Sequence, residues 1–272
     1  MNRLVALAAL LAGLALAPAP AAAQMVPSTC IAMAESLPGA TYVAMDSPAA
    51  RRFAATSDEV TITYVSHATY LIESPGGVVA ATDYAGFAGG AMPDIVTMNK
   101  AHSSHNTPYP DPAIPHVLLG WNPEGGPAEH ALTVGDLYVR NVPTDIRAFG
   151  GMEADGNSIF IFEVAGLCIG HLGHLHHQLT NEDYARIGRL DVLMVPVDGG
   201  MTMSQEGMGE IADRLRSSIV LPMHRFAGPI ERFLDRMPGF AVERRTEPSL
   251  TISMRSLPKT PTVIVLAGVC GR

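Results

Sequence analysis

The sequence predicts an α/β protein built as a two-half sandwich, and three observations carry that prediction. Short runs of alternating apolar residues separated by turn signals begin at Val60 and recur to the end of the chain. Helical periodicity shows only between the later runs. No Gly-x-Gly-x-x-Gly follows the first strand, which argues against a dinucleotide-binding sheet. The 272 residues are 47% hydrophobic and 16% charged, with 26 Gly and 21 Pro spread along the chain, so disorder, collagen and coiled coil are excluded.

The elements follow in order. Residues 24–59 are rich in breakers (Pro27, Pro38-Gly39, Ser47-Pro48) and read as a lead-in to a domain over 60–272. Val60, Ile62 and Tyr64 alternate with threonines, Tyr70-Leu71-Ile72 follows, and Ser74-Pro75-Gly76-Gly77 turns the chain into Val78-Val79-Ala80-Ala81. Residues 94–98 read as a buried strand that runs into the polar loop 99–111, the kind of place where sites are built. Further strands are expected at 132–142, 159–164, 167–170, 192–197, 218–222, 250–254 and 263–266. Helices are expected at 181–187, capped by Thr180 or Asn181, at 204–216, with Met208, Ile211, Ala212 and Leu215 on one face, and at 230–236.

A formal charge of −8 argues against nucleic acid or an anionic membrane as the main partner and favours a small-molecule substrate. Met1-Asn2-Arg3, the apolar run from Leu4 to Ala17 and the small-residue stretch ending Ala21-Ala22-Ala23 read as a secretory signal over 1–23. The run is shorter than the roughly 20 apolar residues a membrane span needs. The expected location is therefore periplasmic or secreted, with no stable membrane anchor after cleavage. Of the three cysteines, Cys168 reads as a small buried hydrophobe, while Cys30 and Cys270, near the two mature ends, are candidates for a bridge clipping the termini.

Ten histidines are present, and several fall where strands end in polar loops. Imidazole is the commonest neutral metal ligand, and a divalent ion held by three of them with an open position is a hydrolytic layout. Four stretches carry a resemblance: Ser66-His67-Ala68-Thr69-Tyr70-Leu71-Ile72-Glu73, the strand and loop 94–106, Gly156-Asn157-Ser158 running on to His171-Leu172-Gly173-His174, and Val220-Leu221-Pro222-Met223-His224. In order and spacing they resemble the metallo-β-lactamase-fold superfamily, in particular its zinc-dependent hydrolases, which include sugar-acid lactonases.

The resemblance implies a four-layer αββα sandwich with its site at one edge. The family's His-x-His-x-Asp-His motif aligns with Lys100-Ala101-His102-Ser103-Ser104-His105, so Lys100 replaces a His and Ser104 an Asp. His174 stands where a metal-bridging Asp is expected, and Asp145 near a further His position. The implied ligands are His105, His174 and His224, with His102 completing the shell or positioning water. Two cations need anionic ligands to offset their repulsion, so one zinc ion is expected rather than two. Lys100 would steady a developing oxyanion. Asp83, His67, His171 and Asp145 are expected behind or beside the ligands. The expected activity is metal-bound hydroxide attack on an ester, lactone, amide or phosphoester. The alternative is a binding or scaffold protein that has kept the fold and lost the chemistry.

Overall fold

The computed structural model describes residues 28–31, 58–148 and 150–269. The expected signal over 1–23 and Cys270 lie outside them. In chain order the strands are β1 (Val60–Ser66), β2 (Thr69–Glu73), β3 (Val79–Ala81), β4 (Ile95–Met98), β5 (His116–Leu119), β6 (Ala131–Val134), β7 (Leu137–Ala148), β8 (Gly151–Val164) and β9 (Leu167–His171). They continue through α1 (Asn181–Ile187), β10 (Val192–Pro196), α2 (Gln205–Leu215), β11 (Ile219–Met223), α3 (Glu231–Leu234), β12 (Ala241–Arg244), β13 (Ser249–Ile252) and β14 (Thr262–Val265).

Two mixed sheets result, ordered β13-β1-β2-β3-β4-β5 and β12-β14-β11-β10-β9-β8-β7-β6. The alternation in β1 sends Val60, Ile62 and Tyr64 inward, where they meet Phe160, Phe162, Ile169, Met194 and Leu221 of the other sheet. Thr61 and Thr63 face outward and hydrogen-bond Thr251 and Ser249 of β13 across the ladder. On the far side of the eight-stranded sheet, Ile187 of α1, Met208 and Ile211 of α2 and Phe233 of α3 cover Ile161, Val195 and Val220. The outer face of the six-stranded sheet buries Val65, Val96 and Met98 under Tyr84, Ala88 and Ile114; among the described residues this layer is loop rather than helix. The α/β sandwich is the expected one.

Three differences from the sequence reading have physical reasons. The strand expected over 132–142 is a hairpin, broken by Gly135 at φ 55° and Asp136. β5 and β12 were not foreseen: they are the edges of their sheets, and β12 is exposed throughout, so neither shows the alternation that betrays a half-buried strand. The cysteine pairing is corrected as well. Cys30 is bridged to Cys168, not to Cys270, and Cys168 is therefore no free hydrophobe. Ser28 and Thr29 hydrogen-bond the buried Glu163, which Arg140 also pairs at 2.9 Å, and Arg189 N–H donates to the Cys30 carbonyl, so this short segment lies across β8 and β9.

A histidine cluster as the candidate metal centre

The carboxyl ends of β1, β3, β4, β9, β10 and β11 meet at one edge of the sandwich, and each delivers a polar side chain within a few residues of its end: His67, Asp83, Asn99 with His102 and His105, His171 with His174, Asp198, and His224. Ligands gather in this way at the carboxyl ends of parallel strands. Among the described residues, six non-glycine residues have positive φ, and three of them are His67 (49°), Asp83 (39°) and His224 (56°). Each such left-handed residue costs about 1–3 kcal/mol and persists only where its surroundings fix it. Here the fixing bonds are visible. His224 N–H donates to the His67 carbonyl at 2.8 Å, Tyr64 Oη–H to the same carbonyl at 3.0 Å, and Thr69 Oγ1–H to the Asp83 carbonyl at 3.0 Å.

Five imidazoles converge. The ring of His174 lies 4.7 Å from that of His105 and 5.0 Å from those of His102 and His224, and His67 lies 4.2 Å from His224. The Nε2 atoms of His105 and His224 face each other at 3.1 Å. Behind them stand two buried carboxylates: Asp83 Oδ2 is 2.5 Å from His105 Nδ1, and Asp198 Oδ1 is 2.8 Å from His224 Nδ1. A carboxylate at Nδ1 holds the proton there and leaves Nε2 as a bare donor atom, the arrangement typical of metal-binding histidines.

Burial keeps His67, His105 and His174 neutral. Burial first, and then the neighbouring histidines, lower His105 and His174 to about 2 and His67 to about 3. Burial raises Asp83 to about 6, opposed by His171 and by the Asn99 amide, which donates to Asp83 Oδ1 at 2.8 Å. Burial likewise pushes Asp198 up, but hydrogen bonds from His224, Thr202 and the Gly200 backbone outweigh it and hold the carboxyl well below the usual range. At neutral pH His67, His105 and His174 are therefore neutral imidazoles, and two carboxylates stand behind the cluster.

Partners fix the tautomers further, because a backbone N–H can only donate. Arg147 N–H donates to His176 Nδ1 at 2.7 Å, so the His176 proton is on Nε2, 2.5 Å from His174 Nδ1. His174 Nδ1 therefore accepts, and its own proton sits on Nε2, which is buried with no hydrogen-bond partner among the described residues. The His174 backbone is fixed by Asn157, whose Oδ1 accepts from its N–H at 2.7 Å. Gly173, at φ 61°, allows this: a Cβ there would fall 2.4 Å from both Asn157 Oδ1 and Asn99 Nδ2.

The structure sorts the residues singled out in the sequence. His67, His102, His105 and His224 present ring nitrogens that all lie within 4.8 Å of one another; His174 packs against them without joining that group. His102 Nδ1 is 2.7 Å from Ser104 Oγ, which is also 2.8 Å from His67 Nε2, and His102 Nε2 is buried and unpaired. His171 Nε2–H donates to the Ala68 carbonyl at 2.8 Å and so ties β9 to the β1–β2 turn. Lys100, expected to face the cluster, is half-exposed and paired with Glu153 on β8, which offsets its charge. Asp145 is placed elsewhere too: its carboxylate accepts from Asp155 N–H within the β7–β8 hairpin. Asp198, Asn99 and Asn157 were missed as site residues, and of these only Asp198 carried a readable signal, an acid just past a buried strand and before Gly199-Gly200. Ser104, read as replacing an Asp ligand, instead bridges two histidines.

This donor set fits a divalent cation. At Zn–N distances of about 2.0–2.1 Å, two tetrahedral nitrogens lie roughly 3.3 Å apart, close to the 3.1 Å between His105 Nε2 and His224 Nε2. The unpaired buried Nε2 of His102 gives a third nitrogen of the right kind.

Comparison with known proteins agrees with the geometry. A family model of the β-lactamase superfamily domain matches residues 61–224. Among solved structures, the chain is similar to a zinc-dependent hydrolase candidate of the metallo-β-lactamase superfamily from Thermotoga maritima, with 27% identity and a TM-score of 0.56 over 76% of this chain and 98% of that one. It is also similar in fold to Igni18, a metallo hydrolase from Ignicoccus hospitalis, with 18% identity and a TM-score of 0.55 over 72% of this chain and 99% of that one. No curated protein matches the chain. With the family model spanning more than half of its length and ending on the last histidine of the cluster, the chain belongs to the β-lactamase superfamily and has the metallo-β-lactamase fold.

Proposed function

We propose that the protein is an exported hydrolase that uses one divalent cation, zinc being the leading choice, on an ester, lactone, amide or phosphoester. The observation that carries this reading is the facing pair of His105 and His224 Nε2 atoms, each backed by a buried carboxylate, with the bare His102 Nε2 beside them. The family membership and the relative from Thermotoga maritima support hydrolysis. The Cys30–Cys168 bridge and the apolar segment over 4–17 support export to an oxidising compartment.

His102, His105 and His224 would hold the cation. When bound it would lower the pKa of a coordinated water to about 7 and polarise the scissile carbonyl or phosphoryl group. The chain's own groups do the rest. Asp83 and Asp198 keep the protons of His105 and His224 on Nδ1. Ser104 Oγ bridges His102 Nδ1 and His67 Nε2; accepting from the first and donating to the second, it would fix the third ligand the same way. The sequence reading put His174 among the ligands; its tautomer instead points an N–H into the cluster, and we assign it to stabilise the negative charge that develops on the substrate oxygen. Among the described residues no carboxylate joins the four-nitrogen group, and Asp83 and Asp198 are committed to imidazole N–H groups, which favours one cation over two.

Metal analysis of protein purified without chelator, paired with an ester, lactone, amide and phosphoester panel, tests this reading. The expected result is one tight equivalent and a hydrolysis that chelator abolishes and zinc restores. Two tight equivalents would overturn the single-ion assignment. No metal and no turnover would favour the scaffold alternative.

A further inference from the structure

Beside the cluster lies a cavity of about 910 Å³, within the size range of small-molecule sites. It sits at the carboxyl ends of the parallel strands β11, β14 and β12. Its walls include Tyr64, His67, Phe226, Val265 and Leu266. It adjoins the metal centre through His67, on which Phe226 stacks at 5.4 Å and 16° while meeting His224 edge-on at 4.6 Å.

Among the described residues, three arginines line this mainly apolar space and no acidic residue does. Two are already neutralised, Arg244 by Glu231 at 2.7 Å and Arg245 by Glu243 at 2.6 Å. Arg225 is different. Its guanidinium lies 4.5 Å over the Tyr64 ring, and among the described residues it has no carboxylate partner. In a chain of net charge −8, an uncompensated guanidinium beside apolar walls is a recognition element for an anion. Its fork suits a carboxylate held by two parallel hydrogen bonds.

We propose that this cavity seats the non-reacting part of the substrate and that Arg225 binds a carboxylate there. The substrate class is then an amphipathic monoanion: an apolar chain or ring bearing one carboxylate, with the scissile bond a separate group at the histidines. A phosphate dianion would call for a second free cation, which the pairing of Arg244 and Arg245 removes. The word substrate rests on the hydrolase reading; the binding site does not.

The test uses the full chain with chelator present, so that no carboxylate can be held by a metal, and calorimetric titration with octanoate and with octanamide. A charge-assisted pair in a partly dry site should make octanoate bind about tenfold tighter or more. Arg225→Met, which keeps the stem over Tyr64, should abolish that preference and leave octanamide binding unchanged, a control for folding. Arg245→Met should keep it. Should R225M fail to fold, Arg225→Lys is expected to retain a reduced preference. Equal binding of the two ligands to the unaltered chain, no binding of either, or a preference that survives R225M would overturn the proposal. None of these readings needs metal or turnover, so a failed hydrolase assignment is told apart from a failed pocket.

Discussion

Replacing His174 separates a ligand from a hydrogen-bond donor. In His174→Ala the His176 Nε2–H loses its acceptor, which costs about 1–3 kcal/mol of stability, and the polar gap beside His102, His105 and His224 is large enough in ring atoms to admit water. If His174 is the donor that meets developing negative charge, kcat on the best panel substrate should fall by about 10²–10³, or roughly 3–4 kcal/mol of barrier. Bound metal should stay at one equivalent, because His102, His105 and His224 are untouched. His174→Gln should recover part of the rate, since its Nε2–H reaches toward the same place. Long-range proton–nitrogen correlation spectra of histidine-labelled protein should show the Nε2–H tautomer at His174. Loss of metal in His174→Ala, or an Nδ1–H tautomer in the unaltered chain, would refute the donor role and restore His174 as a ligand.

The remaining expectations concern the supports of the site and of the fold. Asp198→Asn should weaken metal binding by about 10–100-fold, read by competition with a chromogenic chelator, because an amide no longer holds the His224 proton on Nδ1 as a carboxylate does. Zinc at about a thousandfold over its Kd should stabilise the chain by roughly 4 kcal/mol, seen as a higher Tm that chelator reverses. Glu163→Gln should cost about 3–5 kcal/mol at pH 7 by stranding Arg140. Burial opposes the Glu163 charge, but Ser28, Arg140 and Thr29 outweigh it and lower its pKa when folded. That contribution is therefore full above the unfolded carboxyl value and is lost as pH falls through the lower folded one, so denaturant midpoints of the two proteins should converge in acid. Reducing the Cys30–Cys168 bridge, which spans 138 residues, should cost about 2–4 kcal/mol, with the change in urea midpoint as the check.

What could be read early was what leaves a local trace. The alternation at Val60, Ile62 and Tyr64 sets a half-buried strand whatever it pairs with, and α1 and α2 carry their own caps at Thr180 and Ser204. Edge strands β5 and β12 left no such trace, because one flank and much of their surface meet solvent rather than core.

By itself the sequence determined the sandwich class and the candidate imidazoles at strand ends, since burial periodicity and residue chemistry are properties of short segments. Only the tertiary structure decided what each imidazole can do. Whether a histidine offers a lone pair or an N–H depends on what stands at its other nitrogen, and those partners come from afar: Asp83 for His105, Asp198 for His224, and the Arg147 backbone acting through His176 on His174. The same holds for Cys30, whose partner followed from where Glu163 and Arg140 anchor its neighbours and not from the position of cysteines along the chain.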